Sequence, residues 1–154
     1  MESSFVPEQF LSAALTAPLT KRPPADAGRP YDAVIQTPKI RAWSSEKGGQ
    51  QRSGFAADIG LEIALPPEIA TRVGQPKITL NDSVFLDTTP GGGLDMAPGR
   101  NRGLRRYYEA TGLNKPGTTM GHLAGQFIKV VLKHVVADDG SGDVYERVDG
   151  IAKV

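Results

Sequence analysis

A chain of 154 residues with 18 Gly, 12 Pro, 39% hydrophobic and 23% charged residues has the composition of one small, loop-rich domain, not of a helical bundle. With no cysteine it can form no disulfide, thiolate nucleophile or cysteine zinc site, and two histidines almost exclude a histidine-based metal centre. Eighteen basic against seventeen acidic side chains leave a net charge of +1, so any nucleic-acid signal must lie in where charge is placed.

Residues 1–29 read as an N-terminal extension. Met1 to Phe5 opens with an acid instead of a basic region, and the apolar stretch from Phe10 to Leu19 is broken by Ser12, Thr16 and Pro18. That is a poor signal peptide, and no apolar run approaches the ~20 residues of a membrane helix. The Asn81-Asp82-Ser83 sequon is then a chance match, and a cytosolic location is expected. Pro7 to Leu15 can form a short helix with Phe10, Leu11, Ala14 and Leu15 on one side. Lys21 to Pro30 carries too many prolines for helix and is expected to be extended.

From Tyr31 the period changes to two. Tyr31, Ala33, Ile35, Thr37, Lys39, Arg41 and Trp43 form one side of a long strand expected to bend or bulge near Pro38. Ser44 to Gly54 is expected to be a flexible hairpin loop. Phe55, Ala57, Ile59, Leu61, Ile63 and Leu65 define one side of a second strand, with Asp58 and Glu62 on the other, and Pro66-Pro67 stops it. A third strand covers Lys77 to Leu86, followed by a loop through Pro90-Gly91-Gly92-Gly93 that is expected to be mobile. Asn101 is placed to cap a helix carrying Leu104, Tyr107, Tyr108 and Thr111, closed by Gly112. A fourth strand from Gly125 to Val136 and a last one from Asp143 to about Val154 complete the order. Five strands with one helix between the third and fourth is the layout of an OB-fold barrel, here spanning 30–154.

Catalytic motifs are missing. The triple glycine lacks a P-loop's Gly-Lys-Ser/Thr ending and a dinucleotide site's spacing. His122 and His134 accompany no nucleophile elbow, and His134 reads as a hydrogen-bonded strand residue. Asp138, Asp139, Asp143, Glu146 and Asp149 depart from the EF-hand pattern, so a solvated turn is expected and no metal or other cofactor.

Binding chemistry is denser. Between Lys21 and Arg52 there are seven basic side chains against Asp26, Asp32 and Glu46, interleaved or bordered by Tyr31, Trp43 and Phe55. Cations that follow phosphates beside flat rings that stack on unpaired bases are what single-stranded nucleic acid requires. Lys39, Arg41, Trp43, Lys47, Arg52 and Phe55 are therefore candidate binding residues. Phe127, Lys129 and Lys133 on the fourth strand, and Arg100 and Arg102 ahead of the Arg105-Arg106 pair, are secondary candidates, which a solvated sheet or helix face explains about as well.

Several segments also resemble a family. Lys21-Arg22-Pro23-Pro24 with Gly28 and Tyr31-Asp32-Ala33-Val34-Ile35 is similar to the start of the barrel in phage-encoded single-stranded-DNA-binding proteins. Gly99-Arg100-Asn101-Arg102-Gly103-Leu104-Arg105 before Tyr108 and Gly112-Leu113-Asn114 also resembles that family, as does Leu123-Ala124-Gly125-Gln126-Phe127-Ile128-Lys129-Val130. The resemblance covers roughly Lys21 to Val154. It implies an OB-fold protein that coats unpaired DNA in phage replication or recombination without strong sequence preference or catalysis. Its implied partners are single-stranded DNA and replication or recombination proteins, in the cytoplasm of a bacterial host. It implies no membrane, is compatible with a homo-oligomer and leaves the oligomeric state unset. The segment Val148 to Val154 departs from the acidic tail by which many such proteins recruit partners, so recruitment by that route is not expected. The alternative reading is a small phage interaction module that binds a host or phage protein through the barrel or through Phe5, Phe10, Leu11 and Leu15.

Overall fold

The unbroken alternation ending in Ile59, Leu61 and Ile63 makes the central strand of the fold. In the computed structural model, which describes residues 6–154, that strand is β3 (Gln50–Ala64). The elements before it are α1 (Pro7–Ser12), β1 (Pro30–Ile35) and β2 (Lys39–Lys47). After it come α2 (Pro67–Val73), β4 (Lys77–Leu86), α3 (Arg102–Thr111), a 3-10 turn (Met120–Leu123), β5 (Phe127–Val136) and β6 (Val144–Ala152). All six strands join one antiparallel sheet. β2 and β1 follow one another along one edge of β3, β4 pairs with its other edge, and β5 and then β6 extend the sheet from β1. β4 and β6 come near each other, but no ladder joins them. The architecture is mainly β, as expected. Phe5, a contact candidate of the extension, lies outside the described residues.

One side of the sheet builds the core. Tyr31, Ala33 and Ile35 of β1 meet Ile59, Leu61 and Ile63 of β3 and Ile128, Val130 and Leu132 of β5, all essentially inaccessible. Each fully buried aliphatic contributes about 1.5–3 kcal/mol. α3 packs on this side through Leu104 and Tyr107, and Gly103 lies so close to Val84 that a β-carbon there would collide with it. Burial and the Asp82 carboxylate push the Tyr107 phenol far above its usual range. It therefore stays neutral and donates to Asp82 Oδ2 at 2.5 Å.

Several expectations need correction. The expected single strand is two, because residues 36–38 stand opposite only Ile59 and Gly60. That extra residue is a bulge, which Pro38 favours because it cannot donate to the ladder. It reverses the alternation, so Tyr31, Ala33 and Ile35 face the core while Lys39, Arg41 and Trp43 face the other way. The flexible loop expected at Ser44 to Gly54 is an ordered ribbon whose strands continue to a two-residue turn at Gly48 and Gly49. Both glycines have positive φ, 61° and 78°, as a tight primed hairpin turn requires. Pro66-Pro67 ends β3 but also opens α2, whose Ile69 and Val73 are buried, so the helix count of one was too low. The triple-glycine loop is a hydrogen-bonded turn in which Gly92 N–H donates to Thr89 O at 2.9 Å and Thr89 N–H to Gly93 O at 2.8 Å. Asn101 precedes α3 as expected, but its side chain does not cap the helix. It accepts from Asp87 N–H and donates to the Asp87 and Asp95 carbonyls, tying the loop shut.

Part of the extension lies against the sheet. Ala25 is fully buried, Arg22 Nη1 reaches Glu146 Oε2 at 2.7 Å, and Ala25 N–H donates to the same oxygen. His134 Nε2 donates to Ala25 O at 2.6 Å. Burial alone would raise the Glu146 pKa, but the Arg22 guanidinium and the Ala25 N–H hold it below its ordinary 4.5. A carboxylate depressed in the folded state stabilises above the unfolded value and loses that contribution as pH falls through the folded value. The thermal midpoint should drop on acidification below about pH 5. Glu146→Gln should be less stable than wild type at pH 7, and the gap should close in acid. A gap that persists unchanged at low pH would exclude the ion pair as its source.

Candidate functional site

The side of the sheet away from the core carries the candidate chemistry. On β2 it presents Lys39, Arg41, Trp43 and Lys47. The register sets these against Asp58, Ala56, Gly54 and Gln50 of β3, and β4 adds Ser83 opposite Asp58 and Phe85 opposite Ala56. The small residues of β3 matter. Gly54 has no side chain to fend off the Trp43 indole, and a β-carbon there would sit 3.1 Å from three of its atoms. Across Ala56, the Trp43 and Phe85 rings meet edge to face with centroids 5.4 Å apart and planes at 74°, a favourable aromatic geometry. Trp43 is half-buried and Phe85 is 65% exposed. The indole Nε1 is covered, with no hydrogen-bond partner among the described residues. The result is an aromatic step on an otherwise polar face.

Charge surrounds this step unevenly. Arg41 Nε donates to Asp58 Oδ2 at 2.8 Å, and Ser83 Oγ donates to Asp58 Oδ1 at 2.7 Å. The Ser83 hydroxyl, then Arg41, hold the Asp58 carboxyl below its usual pKa range. Arg41 is thereby fixed beside the rings with one carboxylate already bound. Lys39, Lys47 and Arg52 are exposed and make no ion pair among the described residues. Lys47 and Arg52 stand on the ribbon that projects beyond β4, where β3 pairs with β2 alone.

The other predicted residues are not part of this cluster. Phe55 pairs with Ala42 and Leu86, so it faces the core side although it is 45% exposed. Phe127, Lys129 and Lys133 share the outer side, but Phe127 lies opposite Val34, across the bulge from Trp43. Lys129 is ion-paired with Asp32, and Lys133 stands beside Arg147 of β6. Arg100 pairs with Asp95 at 3.6 Å. Arg102 begins α3, which packs on the core side of β4, away from Phe85. Phe85 was missed by sequence reasoning although its signal was present. It shares parity with Lys77, Thr79, Asn81 and Ser83, so it is an aromatic on the polar side of a strand.

Comparison of the chain with known protein families, curated proteins and solved structures gave no match. Among the described residues no helix is long and apolar enough to cross a membrane.

Proposed function

We propose that the chain is a non-catalytic single-stranded-DNA-binding protein whose ligand lies across the outer side of β2, β3 and β4. The observation that carries this reading is the Trp43–Phe85 step on a polar face, flanked by the exposed Lys39, Lys47 and Arg52. Bases would stack on the rings, which suits any base, and the cations would hold phosphates along the ribbon. The strand connections support an OB-type barrel in which β1 and β2 together act as the first strand, paired with both β3 and β5. The barrel would be closed at the gap between β4 and β6. In such a barrel the outer side of the early strands, with the loop between the first two, is the usual face for oligonucleotides. The resemblance to phage single-strand binders adds replication or recombination as the setting. Both imidazoles are engaged elsewhere, His122 Nδ1 accepting from Thr119 N–H and His134 donating to Ala25 O, which favours binding over catalysis.

A gel shift with single- and double-stranded oligonucleotides tests the proposal. Retardation of the single strand alone is the expected result, and indifference to both would reject it. Counterion release gives a log–log salt slope of about −0.7 per phosphate contacted on a single strand. Neutralising Lys47 or Arg52 to Gln should each flatten that slope by about 0.7. Slopes equal to wild type in both variants would remove the ribbon from the interface.

A further inference from the structure

The extension and a cavity on the far side of α3 each lack an occupant. α1 buries none of its residues, and Leu11, Leu15 and Leu19 are 87%, 67% and 85% exposed. Three exposed leucines on one short arm offer apolar surface to a partner. The arm is also electrostatically one-sided, with Glu2 and Glu8 its only charged side chains before Lys21. The cavity, of about 730 Å³, lies between the loop at Leu94–Gly99 and the segment Leu113–Met120. That is the size of pockets that enclose a ligand. Its walls include Met96, Leu104 and Tyr108, and of its basic residues Arg100 is paired with Asp95 and Arg105 with Glu109, which leaves Lys115 outside any ion pair among the described residues. Met96 is 89% exposed over it.

We infer that the cavity beside α3 receives the leucine arm, residues 6–19, of a second copy of this chain. Apolar walls match the leucines, and Lys115, which makes no ion pair among the described residues, matches an arm whose one charged side chain is Glu8. In its own chain the arm leaves this cavity empty, so a second copy satisfies both surfaces with one contact. Arm and cavity are different surfaces, which makes the contact heterologous. Such contacts propagate head to tail unless the rotation closes a ring. The inference is independent of nucleic acid and concerns the protein alone.

Sedimentation of the full chain without DNA should show mass rising with concentration beyond a monomer. Leu11→Asp with Leu15→Asp should shift the midpoint of association by tenfold or more, with an unchanged melting temperature because both leucines are largely exposed. Met96→Glu with Lys115→Glu, both at the cavity, should do the same. Mixing the two doubly substituted proteins should form dimers that grow no further, since one retains an intact arm and the other an intact cavity. A wild-type monomer at every concentration would overturn the inference. So would either variant associating like wild type, or an arm crosslinked to the cavity of its own chain in a monomer.

Discussion

Trp43→Ala should weaken single-strand binding by roughly five- to a hundred-fold while changing stability by only about 1 kcal/mol. Stacking on one base is worth ~1–3 kcal/mol by alanine substitution, and the half-buried indole lies over Gly54 and meets Phe85 edge to face outside the hydrophobic core. Phe85→Ala should weaken binding in the same range. The double substitution should cost less than the two losses combined, because each ring orients the other. Titration of the wild type with an oligonucleotide should change the emission of Trp43, the sole tryptophan. Equal affinity in all three variants, or an emission indifferent to DNA, would leave the aromatic step without a role in binding. If Trp43→Ala unfolds the domain, the indole is structural, and Phe127, Lys129 and Lys133 become the face to test.

Tyr107→Ala should cost about 3–5 kcal/mol, the usual loss for deleting a buried aromatic ring. Tyr107 is inaccessible on α3, against the sheet with its hydroxyl on Asp82 of β4, so its removal leaves both a cavity and a carboxylate that has lost its phenol donor. Asp82 would keep Arg106, 4.0 Å away, as its ion partner among the described residues. Small domains have about 5–15 kcal/mol in total, so this one change removes a large share. Tyr107→Phe keeps the ring and should cost only about 1–2 kcal/mol, through the unsatisfied Asp82. Urea denaturation separates the two. Near-equal midpoints for the two variants would mean that the hydrogen bond outweighs the packing. Because α3 lies away from Trp43 and Phe85, single-strand affinity measured well below the melting temperature should be retained in Tyr107→Phe.

Much of this architecture was legible in the residues alone because strict periods leave few alternatives. The row Ala57, Ile59, Leu61 and Ile63 marked the buried side of β3, and the helical spacing of Leu104 and Tyr107 marked that of α3. Gly112 closes α3 in the left-handed conformation that glycine adopts most readily. The cations at Lys39, Lys47 and Arg52 were also legible, since charge density is a property of composition. Short elements were not. α2 is seven residues led by two prolines, and its helix is held by burying Ile69 and Val73, which no local pattern announces.

What the sequence by itself determined was which residues alternate and where charge and aromatic rings concentrate. Which side of the sheet they occupy was decided only by tertiary structure. A strand's period of two carries no absolute phase, and one extra residue between Ile35 and Lys39 exchanges the two sides for all of β2. That bulge turns Trp43 outward, and pairing of β4 with β3 then brings Phe85 beside it from 42 residues away in the chain. Gly54 and Ala56 become the floor of the step only because β2 and β4 both register on the same stretch of β3. Pairing between distant strands is set by the burial of their opposite, apolar side, and that is why the aromatic step could not be read from any one segment.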